Sequence, residues 1–453
     1  MQSTDYAQLD KAHLWHPFTP MKQWLASDQI VIEAAEGFEL IDTAGRRYVD
    51  GFSSLWCNLH GHRVKQIDNA IRDQLGKVAH STLLGLASIP SIELARRLVE
   101  IAPAGDGPRL TKVFLSDSGA TAVEVAVKMA FQYWHIRGQH SRRKFIAFKE
   151  SYHGDTLGGV SLGGIDIFHR IFAPLLFETT FVQSPCQFYH PSGDGAADAV
   201  LAEIDAILSR HREYAAIVLE PLIQAAAGML TAPMGFLKRL REMADRHGVL
   251  LIADEVATGF GRTGTMFACQ REGVAPDLMC LGKGLTGGYL PVAATLASGE
   301  IFDAFCGEDE GTGYAGRVFF HGHTFTGNAL GCAAANASID LISSSGLLGE
   351  LPGKVDRIAE ALRPLREHPN VGDIRQCGMM VGIDLVQSRE PREFFPAARR
   401  VGSAICNLAM KRGIMIRPLG DVIVLMPAPA MDDPTLDRLL DCAVESIHEY
   451  FGK

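Results

Sequence analysis

An α/β fold on a mostly parallel sheet, followed by a smaller α+β region, is what this sequence of 453 residues predicts. Three observations carry that prediction. Between about 110 and 345, short apolar runs alternate with longer amphipathic ones, and the spacers suit crossover connections between parallel strands. From about 350 the alternation gives way to paired strand-like runs followed by helices. The composition, 47% hydrophobic and 21% charged, is that of a globular chain with a sizeable core.

Near the start, GFELIDTAGRRYVDG reads as strands at turn spacing, expected to pack against the C-terminal region. The apolar runs KVFLS (112–116), KFIAF (144–148), AAIVLE (215–220), VLLIA (249–253), LMCL (278–281) and PVAATLA (291–297) are strand candidates. Segments 118–136, 234–247 and 325–343 have helical periodicity. Beyond 350, DIRQCGMMVGIDL and GIMIRPLGDVIVLM read as strands, with helices expected at about 396–412 and 433–450. The expected partition is a large domain over 66–345 and a small one made of 1–65 and 346–453.

Charge and cysteine usage exclude several function classes. A net charge of -9 argues against a nucleic-acid partner, which calls for a basic surface. Nine cysteines without a CxxC pair suggest reduced thiols and a cytoplasmic setting, and no zinc spacing occurs. The first thirty residues lack the basic and apolar regions of a signal peptide. No apolar run approaches the ~18 residues of a membrane span, so no membrane role is expected.

Two positions point to chemistry. Lys283 sits in LMCLGKGLTGGYLP, after an apolar strand, and Asp254 ends the strand of VLLIADEVATGFGRTG. A lysine amine in a glycine-lined turn can form an imine with an aldehyde, and a buried carboxylate can hold a cation. Pyridoxal 5'-phosphate needs both. The plainer alternative is a surface lysine and a helix cap. Parallel sheets bind ligands at the carboxyl ends of their strands, and Asp254, Glu220 and Lys283 all fall there.

In VFLSDSGATAVEVAVKMAFQYW a strand meets a helix through Ser118, Gly119, Ala120 and Thr121. Small residues let backbone N–H groups approach a phosphate at the positive helix end, or the turn is a simple N-cap. In KESYHGDT, Tyr152 could lie on a planar ring or plug the sheet edge, and His153 could stack or hydrogen-bond. FFHGHTFTGN holds His321, His323 and Thr324; no third ligand supports a metal there, and Thr324 suits a phosphate contact, including one in a partner subunit. Arg417 in IMIRPLG could clamp a carboxylate or form a surface ion pair.

Three motif matches fail on context. GFGRTG (259–264) fits a dinucleotide fingerprint, but its first glycine lies six residues past the strand and no clear helix follows. GVSLG (159–163) lacks the strand that a serine nucleophile elbow requires. Gly284 follows Lys283 where a P-loop needs Ser or Thr.

Taken together, IADEVATGFGRTG, LGKGLTGG, SDSGATAVEVAVKMA and HGHTFTGN, in their order, resemble the class III pyridoxal-phosphate aminotransferases over nearly the whole chain. HLWHPFTPMKQW, DGFSSLWCNLHGH and YHGDTLGGVS look most like the branch of adenosylmethionine-8-amino-7-oxononanoate aminotransferases of biotin synthesis. The resemblance implies the fold-type-I architecture, with a mostly parallel seven-stranded sheet in the large domain, a smaller α+β domain, and a homodimer with two sites at the interface. It implies that Lys283 anchors the cofactor, Asp254 pairs its pyridine nitrogen and Glu220 sits near its ring. By the same carry-over Gly119 and Ala120 bind the phosphate, and His323 and Thr324 reach a phosphate across the dimer. Tyr152 stacks on the ring and borders the substrate, Gly322 lies on the substrate side, and Arg417 binds the keto-acid carboxylate. Phe18, Leu55 and Trp56 line the substrate site. Phe18 stands where the branch usually has Tyr, and SSLW stands where it has SSWW. With HGHR and AHSTLLG, these departures resemble the branch that takes its amino group from L-lysine, so both donors are expected candidates.

Overall fold

The computed structural model describes residues 5–307 and 316–452. A seven-stranded sheet runs in the order Leu110–Ser116, Ala293–Ser298, Leu278–Leu281, Leu250–Asp254, Tyr214–Leu219, Lys144–Phe148, Thr179–Val182. Within it only Ala293–Ser298 runs antiparallel to its neighbours. This is the α/β fold with a mostly parallel sheet that the sequence predicts.

The strands are apolar because both faces are covered. Successive residues alternate between two cores. Ala216, Val218, Leu250 and Ile252 pack under the Gly119–Ile136 helix with Val123 and Ala130. Ile217, Leu219, Leu251 and Ala253 face the opposite way, against Leu237 and Leu240 of the Phe236–His247 helix. That helix ends on Gly248 at φ 60°, a left-handed cap that stops it one residue before the next strand segment.

The C-terminal region forms a second sheet from Val371–Cys377, Met380–Arg389, Val422–Leu425 and Arg417–Leu419, with Arg392–Phe394 on one edge. Helices Val401–Lys411 and Asp433–Phe451 pack on it through Ile405, Leu436 and Leu440. Strands Ile32–Glu36, Glu39–Asp42 and Arg47–Asp50 form a third sheet whose last strand is Ile414–Met415, parallel to Arg47–Asp50. The strands of residues 32–50 are thus tied to the C-terminal region by backbone hydrogen bonds. Among the described residues, no helix is long and apolar enough to cross a membrane, and all nine cysteines are unpaired.

Several expectations need correction. DIRQCGMMVGIDL is a hairpin of two strands turned at Gly378, and GIMIRPLGDVIVLM is three short strands. The helix expected from 396 begins at Val401, because Arg400 adopts φ 49° and the three residues from Ala397 form a 3-10 turn. The helix expected from 325 starts at Ala329, capped by Asn328, whose Oδ1 accepts from the Gly331 N–H.

Candidate active site

Three neighbouring parallel strands end on one edge of the sheet, and each delivers a charged group. Asp254 is the last residue of its strand, Glu220 follows Leu219, and Lys283 follows Leu281 and Gly282. Lys144–Phe148 leads into Tyr152 and His153, and Leu110–Ser116 leads into Ser118, Gly119 and Ala120. These groups meet around a cavity of about 510 Å³, lined also by Trp56, Gly154, Asp155, Thr156, Ala226, Val256 and Ala257.

Asp254 is buried and held at both oxygens. His153 Nδ1 lies 2.7 Å from Oδ2, and the Val256 N–H donates to Oδ1 at 3.1 Å. Burial works against a charge on His153, but the hydrogen bond and charge of Asp254, with Glu220 behind it, raise its pKa above the ordinary histidine value. His153 therefore acts as a hydrogen-bonding group, and its buried Nε2 has no partner among the described residues. Glu220 accepts from the Tyr152 N–H at 3.0 Å and the Ala225 N–H at 2.9 Å. Burial nevertheless pushes its pKa from the ordinary 4.5 up to about 7.

Lys283 is half-buried, at φ 40°, with Nζ 5.4 Å from the Trp56 ring centroid. Burial lowers its pKa, opposed by the charges of Asp254 and Glu220. An amine so placed is closer to its nucleophilic, neutral form than a surface lysine.

The two readings of the strand-to-helix turn coexist. Ser118 is the N-cap in a reciprocal box with Thr121, and the helix beyond it opens on the cavity at Gly119 and Ala120. The helix is 18 residues long, so the end facing the cavity carries about half a positive charge. Glycine is required in this turn by packing. A Cβ on Gly119 would lie 2.5 Å from Val256 Cγ1, and one on Gly154, at φ 96°, would lie 2.3 Å from Ala120 Cβ.

Trp56 reaches the cavity from an unusual piece of backbone. Ser53, Ser54, Leu55 and Trp56 all have positive φ, between 48° and 71°. They form one left-handed helical turn without a glycine, closed by Trp56 N–H to Phe52 O at 2.9 Å and Cys57 N–H to Ser53 O at 3.0 Å. Such backbone costs roughly 1–2 kcal/mol per residue, so the surroundings must hold it. One support is Arg262 of the GFGRTG segment. Its buried guanidinium donates to the carbonyls of Trp56 (3.1 Å), Asn58 (2.7 Å) and Pro427 (2.8 Å) and to Ser53 Oγ (3.3 Å). The segment is thus a brace built on an arginine, and the dinucleotide reading fails as expected. Ser161 of GVSLG lies buried in the Leu157–Leu162 helix and donates to the Leu157 carbonyl, so it is no nucleophile elbow.

Six sequence-selected residues lie outside the cavity wall of this chain. Gly322, His323 and Thr324 sit on a partly exposed loop, with His323 Nδ1 3.2 Å from Asp117 Oδ2 but off hydrogen-bond alignment. Arg417 is exposed; its register partner Val424 and its neighbour Leu419 pack with Trp56, Ala226 and Ala257. Leu55 is half exposed on the outer side of the left-handed turn. Phe18 is also half exposed and meets Phe168 edge-on at 5.5 Å, and Phe168 meets Tyr152 at 6.3 Å.

Residues 22–447 match the aminotransferase class-III family model. The chain belongs to the class III aminotransferases. It is 52% identical over 439 residues to the adenosylmethionine-8-amino-7-oxononanoate aminotransferase of Nitratidesulfovibrio vulgaris, covering 95% of this chain and 79% of that protein. The crystal structure of the enzyme of that name from Methanocaldococcus jannaschii matches with a TM-score of 0.92 at 42% identity over 98% of both chains. An amine transaminase from an uncultivated Pseudomonas species, in its PLP-bound form, matches with a TM-score of 0.90 at 32% identity over 96% of this chain and 98% of that one. This class III enzyme is a transaminase, and its cofactor is pyridoxal phosphate. The donor set fits that cofactor: a fixed carboxylate, a desolvated amine and a helix N-terminus share one cavity.

The raised pKa of Glu220 has a consequence for stability. The native state binds its proton more tightly than the unfolded chain, so this contribution is full near pH 4.5 and is lost as pH rises towards about 7. His153 works in the same direction and Lys283 in the opposite one. Comparison with Glu220→Gln isolates the carboxyl. In cofactor-free protein, the Tm of wild type relative to the variant should fall across that range. A difference independent of pH would contradict the assignment.

Proposed function

We propose that this chain transfers an amino group to 8-amino-7-oxononanoate, forming 7,8-diaminononanoate in biotin synthesis. The observation that carries the reading is the cavity uniting Lys283, Asp254 and the Gly119–Ala120 helix end, in a chain whose relatives bear that substrate in their names. Bound pyridoxal phosphate supplies an aldehyde that captures amines and a ring that accepts electron density. Lys283 Nζ would hold the cofactor and, once the donor amine has displaced it, would take the proton from the carbon bearing the donor's amino group and deliver it within the same half-reaction; the second half-reaction runs that transfer in reverse. Asp254, steadied by His153, keeps a positive charge on the pyridine nitrogen. The helix end holds the phosphate, Tyr152 borders the ring, and Glu220 lies near it.

The acceptor's carboxylate goes to Arg417, an exposed guanidinium with no carboxylate partner among the described residues. A second copy of the chain completes the site, bringing His323 and Thr324 to its neighbour's phosphate and Gly322 to its substrate side. Exposed apolar side chains support a dimer: Leu84 is 89% exposed, Ile89 79% and Phe320 71%. The relatives' names favour adenosylmethionine as donor, while Phe18 and Leu55 favour L-lysine. The division into domains over 66–345 and over 1–65 with 346–453, and a cytoplasmic location, complete the reading.

Incubating the purified enzyme and 8-amino-7-oxononanoate with each donor in turn tests it. Diaminononanoate should form with one of them; its absence with both would leave another ω-amine transaminase as the activity. Arg417→Ala should slow the keto-acid half-reaction by ~10-fold or more, the value of a charge-assisted bidentate contact, with the donor half nearly unchanged. Equal loss in both halves would remove Arg417 from that role.

A further inference from the structure

We propose that Asp50 is a positioning residue that holds the left-handed Ser53–Trp56 turn, and with it the Trp56 ring over Lys283. The proposal rests on reading Lys283 as the working amine.

Four consecutive non-glycine residues in the left-handed region have no local reason to stay there. The turn must be held by groups outside it, and three are visible. Arg262 reaches the carbonyl of Trp56 at the end of the turn. Ser53 Oγ donates to the Met426 carbonyl at 2.6 Å. Asp50 holds the middle: the Ser54 N–H donates to Oδ1 at 2.9 Å, and the Ser54 hydroxyl to Oδ2 at 2.7 Å. It binds both the backbone N–H and the hydroxyl of a single residue, Ser54, at the middle of the turn.

Asp50 is suited to the task. It ends the Arg47–Asp50 strand, is 3% exposed, and is steadied by His62, whose Nε2 lies 3.2 Å from Oδ2. No arginine or lysine pairs with it among the described residues, so its carboxylate is spent on the turn. The result is functional placement. Trp56 turns inward, is buried and faces Nζ, while Leu55, one residue earlier, turns outward. A relaxation of Ser54 towards right-handed backbone would swing the following side chains and take the indole off the cavity wall.

The test is acrylamide quenching of the full-length, cofactor-free protein. The chain has four tryptophans, so Trp56 is read as the difference between each protein and its Trp56→Phe counterpart. Asp50→Ala should raise the Trp56 quenching constant several-fold, and Asp50→Asn, which keeps an acceptor for the Ser54 N–H, should restore most of the shielding. In the cofactor-loaded enzyme, Asp50→Ala should slow the donor-driven loss of visible absorbance by up to about 10²-fold, the scale of a misplaced active-site wall, with recovery in Asp50→Asn. If Asp50→Ala does not fold, Ser54→Ala, which removes only the hydroxyl contact, should raise quenching by a smaller amount. Unchanged quenching in the variant that folds overturns the proposal, as does raised quenching with an unchanged rate. A wild-type enzyme that reacts with neither donor counts against the proposed substrates and leaves the quenching test of Asp50 standing.

Discussion

Lys283→Ala should abolish turnover and the visible absorbance of the bound cofactor while leaving a folded protein. The lysine is half-buried, its amine faces Trp56, and desolvation already disfavours its charge. Removing it costs the fold little, since among the described residues no hydrogen bond depends on Nζ. On the proposed function it costs the reaction both the anchor and the group that moves the proton. A positioned acid–base alone contributes about 10²–10⁴-fold, so the loss should be at least of that size. The variant should still bind some cofactor, because Asp254 and the Gly119–Ala120 helix end remain. Near-normal turnover would mean that another lysine does this work.

Asp254→Asn should be the next most damaging change, at full cofactor concentration as well as at low. Asparagine keeps the shape and can still accept from the Val256 N–H, but it removes the charge. Taking one partner from a buried pair costs about 3–5 kcal/mol; if that falls on the barrier, it is roughly 10²–10⁴-fold in rate. The same change should lower the pKa of His153, which Asp254 holds up, and the imidazole resonances give that readout independently of activity. A small loss of rate with an unmoved histidine would contradict the role given to this pair.

The features that place the site were the most legible in the sequence. A strand buried on both faces must be a nearly continuous apolar run, so LMCL and VLLIA announce themselves, and their last residues fall on the functional edge. Thr179–Val182 was not legible, because an edge strand of three half-buried residues and one buried valine, beginning with two threonines, carries no such run. His153 stayed open between stacking and hydrogen bonding; the choice depends on Asp254, a residue 101 positions away. The left-handed turn at Ser53–Trp56 has no signature at all, since handedness there is imposed from outside and no glycine marks it. Arg262 shows the same limit. Its partners lie 165 to 209 residues away, so GFGRTG could be read only for what it is not. The loop of His323 and Thr324 follows the same logic one step further, because its proposed contacts lie in a second subunit.

Under the proposed function, Lys283 carries the cofactor in the cavity it shares with Asp254. Borohydride reduction of the cofactor-loaded enzyme, followed by peptide mapping, tests it directly. The pyridoxyl group should become fixed to the peptide containing Lys283, with visible absorbance lost in step. A pyridoxyl group on a different lysine, or an enzyme that stays unlabelled while its visible band persists, would contradict it.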